Sequence, residues 1–228
     1  MEEKDLSKYR VLIAIPAMRS VQTDFFISVI NLEYNGNTLL SVAANSLVYD
    51  ARNFLVKKAI ENDVDYILFI DSDMVFDSKI LINLLKDAVE NDYEYITALT
   101  FRRQFPTSPT IAKTLTWYQD KDTNLPHGAA EVYADYPRDQ LFEIAGSGLA
   151  CTIVKLEAIG RAANAYQMSP FEPLPNLSED YSFCFRLKEL GIKMYCDSRI
   201  KIGHVGDFIF NEDVFLKQEK ENKNGHSD

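Results

Sequence analysis

The chain has 228 residues, 46% apolar and 25% charged, with a formal net charge of -10. That balance suits one generous soluble domain with a real core, and the charge excludes a broad nucleic-acid-binding face, since phosphate neutralisation needs clustered Lys and Arg. Cys151, Cys184 and Cys196 form no C-x-x-C and sit in apolar surroundings, the pattern of reduced, buried thiols in a cytoplasmic protein.

In chain order, the start Met1-Glu2-Glu3-Lys4 is too charged for a signal peptide, and no apolar run approaches bilayer length, so no transmembrane segment is expected. Residues 11–15 read as a buried strand closed by Pro16, before the loop Ala17-Met18-Arg19-Ser20. Residues 24–32 have helical spacing, and a strand at 38–43 follows the turn Asn35-Gly36-Asn37. Asp50 opens a helix whose apolar face is Phe54, Leu55, Ala59 and Ile60. The strand at 66–70 completes a β-α-β-α-β alternation, which predicts a mostly parallel sheet.

That third strand, Tyr66-Ile67-Leu68-Phe69-Ile70, is apolar throughout and ends in Asp71-Ser72-Asp73. Ligand crevices of open α/β sheets lie beyond the carboxyl ends of the strands. Alternation along an extended chain sends Asp71 and Asp73 to one side with Ser72 opposite, and two converging carboxylates ask for a hard cation such as Mg2+ or Mn2+. A D-x-D also suits a plain strand-to-loop turn; the buried strand before it favours the site. Asp77, by contrast, reads as the N-cap of a helix over 78–90.

A strand at 95–99 precedes a break in pattern. Residues 101–140 hold four prolines and scattered aromatics and read as a long functional loop, where Trp117 and Tyr118 suit a sugar face as well as a core. A strand at 141–145, the turn Gly146-Ser147-Gly148 and a strand at 149–154 come next. The glycines admit a ligand or another backbone, or mark a bulge.

After a helix at 157–165 and a Pro-rich loop at 169–175, Glu179 and Asp180 open a helix that turns Phe183, Leu187 and Leu190 inward and stops at Gly191. Capping explains two acids there, and a carboxylate so held can also act as a base. A strand at 192–195 leads to Gly203-His204-Val205-Gly206, whose imidazole is either a structural residue or a ligand. Residues 217–228 are polar, a frayed helix end or tail, so His226 is not a ligand.

Asp71-Ser72-Asp73 after its buried strand, Ala51-Arg52-Asn53 in the preceding helix, Glu179-Asp180 with Phe183, Cys184, Arg186 and Leu187, and Gly203-His204-Val205-Gly206 form an ordered set over about 12–206. This set resembles the GT-A glycosyltransferases, the nucleotide-sugar-dependent class, and most closely their family 2 type. The resemblance implies an α/β, GT-A type single domain at 1–210, with a Rossmann-like mostly parallel central sheet flanked by helices. Within it, about 1–100 would hold the nucleotide sugar and about 101–210 the acceptor, with 211–228 a polar tail.

The resemblance also implies roles. Asp73 and His204 bind Mn2+ or Mg2+, and Asp71 shares that site while contacting the ribose or sugar of a UDP- or GDP-linked donor. Pro16, Ala17, Arg19, Arg52 and Ser72 belong to the donor side; Asn45 or Ser46 stands where the base is met, in place of the more usual acid. Gly146, Ser147 and Gly148 line the side of a carbohydrate or other hydroxyl acceptor. Asp180, with Glu179 second, is the catalytic carboxylate; as base it gives inversion, and retention stays open. The other readings are a non-catalytic nucleotide-sugar-binding module, or a nucleotidyltransferase, although Pro16-Ala17-Met18-Arg19-Ser20 lacks the glycines of a phosphate loop.

Overall fold

The computed structural model describes residues 4–206 and 208–224. The apolar runs become strands and the periodic segments helices in the expected alternation: β1 (Val11–Ala17), α1 (Thr23–Ile30), β2 (Thr38–Ala44), α2 (Val48–Glu61), β3 (Tyr66–Ile70), the short β4 (Met74–Val75), α3 (Ile80–Asn91) and β5 (Tyr95–Leu99). The second half adds β6 (Ile111–Gln119), β7 (Pro126–Val132), β8 (Leu141–Ile144), β9 (Gly146–Ser147), β10 (Cys151–Lys155), α4 (Leu156–Tyr166) and α5 (Glu179–Glu189). Last come β11 (Met194–Lys201), β12 (Gly203–Val205), β13 (Ile209–Phe210) and α6 (Glu212–Asn224).

A seven-stranded sheet runs β2-β1-β3-β10-β5-β11-β8, and a single α/β domain forms around it. β2, β1, β3, β5 and β11 run one way; β10 enters antiparallel between β3 and β5, and β8 lies antiparallel at the far edge. β1, β3 and β5 are buried along their whole length, as strands covered on both faces must be. α1 and α3 pack on one face through Phe25, Leu81, Leu84 and Leu85, and α2, α4, α5 and α6 on the other through Leu55, Ile159, Phe183, Leu187 and Phe215.

Several expectations change. Residues 101–140 are not one loop, because β6 and β7 pair as a hairpin and β9 joins β6 in a small second sheet. Only Ile111, Ala112 and Leu115 of its nine residues are buried, with no regular alternation, which gives β6 its weak signal. Trp117 Nε1 donates to Pro175 O at 3.0 Å and the ring leans on Phe185, a packing role, whereas Tyr118 is exposed and stacks on His127.

On α2 the buried side is Ala51, Arg52, Leu55, Val56 and Ala59; Phe54 and Ile60 face solvent, as does Leu190 beyond α5. Pro16 does not close β1, which continues to Ala17 in register with β2. Asp77 caps a turn rather than the helix, accepting from Lys79 N at 2.9 Å before α3 begins at Ile80. Of the stretch read as a polar tail, Glu212–Asn224 is helical and buries Phe215; His226 lies outside the described residues. Among the described residues no helix is long and apolar enough to cross a membrane.

Candidate functional site

The five buried residues of β3 deliver Asp71 to the sheet's carboxyl edge, where Asp71 N donates to Ala150 O at 2.9 Å and the chain turns through Ser72 and Asp73. The turn leads straight into β4, which pairs antiparallel with β12 and sets His204 opposite Met74. That short ladder carries the imidazole to the aspartate. His204 Nε2 lies 3.3 Å from Asp73 Oδ2, and Val205 N donates to Asp73 O at 2.7 Å.

The other ring nitrogen, His204 Nδ1, is 2.8 Å from Phe101 O. A carbonyl accepts only, so Nδ1 carries the proton, and in the neutral ring Nε2 then presents a lone pair to Asp73. Two acceptors this close need a proton or a cation between them. Arg103 supplies part of the charge, with Nη1 3.0 Å from the same Asp73 Oδ2. Burial pushes the Asp73 carboxyl up, but a hydrogen bond and positive charge from His204 when Nε2 also carries a proton, and then Arg103, outweigh it and hold it below its ordinary range.

Asp71 has a different partner. Arg52, 2% exposed on α2, lies 3.0 Å through Nη2 from Asp71 Oδ1, and its Nη1 bonds Glu179 at the start of α5. The chain turns at Ser72 in place of the expected alternation, and the two aspartates, which line one cleft, take different basic partners. Burial opposes the Arg52 charge, but Asp71, Glu179 and Asp180 more than restore it. Burial and then Asp180 push the Glu179 carboxyl up against the pull of Arg52.

Asp180 Oδ1 accepts from Tyr181 N at 2.7 Å and from Ser178 Oγ, while a Cβ on Gly148 would stand 3.5 Å from Oδ2. Capping and site placement therefore coexist in one carboxylate, one oxygen for each. Gly146 and Ser147 are buried in β9: a Cβ on Gly146 would meet Cys184 Cβ at 3.0 Å, and Ser147 Oγ is 2.6 Å from Tyr95 Oη. Those two positions admit a helix, and only Gly148 approaches Asp180.

A cleft of about 150 Å³ is lined by Pro16, Ala17, Ser46, Asp71, Ser72 and Asp73, with Met18, Val48 and Ala51. It gathers most of the expected donor side. Arg19 is exposed and outside the lining, and Asn45, exposed at φ 62°, gives its place to Ser46. A larger cavity of about 440 Å³, between β4 and the start of α6, is lined by neither Asp71 nor Asp73. Chemistry favours the smaller one.

Sequence reasoning missed Arg103. Its signal was the Arg102-Arg103 doublet at the exit of a buried strand in an acidic chain. Among the described residues no group of three or more His, Cys, Asp or Glu could hold a metal. The residues that would hold a metal here are the pair Asp73 and His204, 3.3 Å apart. This fits an ion that takes its remaining ligands from a bound anion and water, as Mg2+ does at phosphate sites.

No protein-family model matches the chain, and no curated protein matches it by sequence. Among solved structures, A197 from STIV is similar at a TM-score of 0.58 and 18% identity, over 90% of this chain and 91% of that one. GalNAc-T7, solved with UDP, GalNAc and Mn2+, is similar at a TM-score of 0.59 and 10% identity, over 87% of this chain and 44% of that one. The chain thus spans under half the length of this second protein. At such identities the likeness is one of fold, and the fold is GT-A-like.

Proposed function

We propose that the chain is a metal-dependent glycosyltransferase that moves a sugar from a nucleoside diphosphate sugar, UDP- or GDP-linked, to an acceptor hydroxyl. One observation carries the reading: Asp73 and His204 Nε2 face each other at 3.3 Å beside the cleft, with the imidazole oriented by Phe101 O. The likeness of fold to a protein solved with UDP and Mn2+ supports it. In this reading residues 1–100 hold the donor and 101–210 the acceptor, whatever that acceptor is.

Asp73 and His204 would hold Mn2+ or Mg2+, and the ion would supply Lewis-acid stabilisation of charge on the departing diphosphate. Pro16, Ala17 and Ser46 grip the nucleoside, and Asp71, fixed by Arg52, orients the ribose or sugar. Asp180 takes the acceptor proton through Oδ2 while Oδ1 stays bound to Tyr181 N, so the base is aimed by its own helix. Glu179, paired to Arg52, ties the acceptor side to Asp71 and keeps the two halves in register. Inversion at the anomeric carbon follows if Asp180 is the base.

The test is nucleotide release from a panel of UDP and GDP sugars with Mn2+, for wild type and Asp73→Ala. Loss of a charge-stabilising group of this kind lowers turnover by on the order of a hundredfold or more. Equal release from both proteins would sink the reading.

A further inference from the structure

The two arginines at the site are held in opposite ways. Arg52 is buried and tied to two carboxylates, Asp71 and Glu179. Arg103 reaches in from solvent, its side chain 48% exposed, and among the described residues it pairs with one carboxylate oxygen, Asp73 Oδ2, with a long 3.4 Å contact to Val205 O. That oxygen is also the one His204 Nε2 approaches. A divalent ion binding Asp73 through this oxygen therefore competes with the guanidinium for it, and two cations that close repel each other.

The charges at the site make the competition specific. Asp71, Asp73, Glu179 and Asp180 gather near Arg52 and Arg103, with Arg102 beside Tyr181, so the acids still outnumber the arginines. An ion pair half in water is easily broken, and a guanidinium engages phosphate oxygens in a bidentate fork better than it holds one carboxylate oxygen. We propose that Arg103 is a displaceable internal counter-ion. It guards Asp73 in the ligand-free protein, withdraws when a divalent cation enters, and passes to the diphosphate of the donor.

Metal and diphosphate then bind with positive coupling, each favouring the state in which Arg103 has left Asp73, and the coupling is reciprocal. The diphosphate half rests on the glycosyltransferase reading; the competition at Asp73 does not.

Calorimetry on the full chain tests both halves, using MnCl2 alone and MnCl2 with UDP. The proteins are wild type, Arg103→Gln, Arg103→Lys and, as a control of equal charge change at the β6–β7 hairpin, Lys121→Gln. Arg103→Gln is expected to tighten Mn2+ binding in the absence of nucleotide by about 5- to 10-fold, a modest allosteric coupling. It should also lower the factor by which UDP enhances Mn2+ affinity. Arg103→Lys, still charged but without the fork, should keep weak metal binding, and Lys121→Gln should match wild type.

Unchanged or weaker Mn2+ binding in Arg103→Gln, in protein shown to be folded by circular dichroism, overturns the proposal, as does an equal gain in Lys121→Gln. If Arg103→Gln tightens Mn2+ but UDP enhances metal binding in neither protein, the competition stands while the diphosphate role and the nucleotide-sugar reading fall. Absence of Mn2+ binding in all four proteins removes both.

Discussion

Arg52 shows how one buried side chain can organise a site. Its guanidinium joins α2 to the end of β3 and to the start of α5, with Nε buried and unpaired. Burying a charge is costly unless its partners are held close, and here the partners are carboxylates that need it equally. Arg52→Met is therefore expected to leave Asp71 and Glu179 uncompensated and to destabilise the fold by about 3–5 kcal/mol, read from urea unfolding. Arg52→Lys should recover part of that loss, since it restores the charge without the fork. If Arg52→Met unfolded at the wild-type midpoint, the bridge would carry no stability. The residue was readable from sequence as part of a motif, but its burial was not, because Phe54 and Ile60 offered a more apolar face for α2.

Between elements, a second acidic pair has no part in the proposed chemistry. Asp87 on α3 and the buried Asp197 on β11 share Arg199, whose Nη2 lies 2.8 Å from Asp87 and whose Nε lies 2.8 Å from Asp197 Oδ1. Burial, then the hydrogen bond and charge of Asp197, push Asp87 up to about 6 against the pull of Arg199, while Asp197, also opposed by burial, is held below its ordinary range by Arg199 and Asp87. A carboxyl with a raised folded pKa binds its proton more tightly in the folded state, so stability falls as pH rises from the unfolded value of about 4 through about 6. Asp87→Asn cannot ionise. Its melting temperature should lose that decline between pH 4 and 6, and an unchanged slope would show that Asp87 does not titrate there. The same α3 and β5 region was easy to read in sequence, since buried apolar residues at regular spacing are a local property. The β6–β7 hairpin was not, because β6 is half exposed and β9, which covers it, is only two residues long.

For the whole molecule, the proposed ligands connect function to stability. A ligand that binds only the folded state at a hundred times its Kd adds about 2.7 kcal/mol, which for a chain of this size raises Tm by roughly 5–10 °C. Mn2+ with UDP should give a shift of that order in thermal unfolding, and Asp73→Ala should lose the part that depends on Mn2+. No shift in wild type under saturating ligand would count against donor binding. The architecture explains why one cleft can respond to both: β1 and β3 end there side by side, and Arg52 from α2 ties the cleft's Asp71 to Glu179 at the start of α5. The expected parallel order holds for five strands, but the reversal of β10 between β3 and β5 left no mark in the pattern of apolar residues. A strand buried on both faces reads alike in either direction.

By itself the sequence determined where the buried strands lie and which acids stand at their exits, because burial of a five-residue run and the turn that ends it are short-range properties. Only the tertiary structure decided which cation each acid meets. Asp73 finds His204 through the ladder of β4 with β12, Arg103 arrives from the loop after β5, and Asp71 is claimed by Arg52 from the preceding helix. Electrostatic partnership depends on distance in space, which residue spacing cannot encode once a turn rotates neighbouring carboxylates apart.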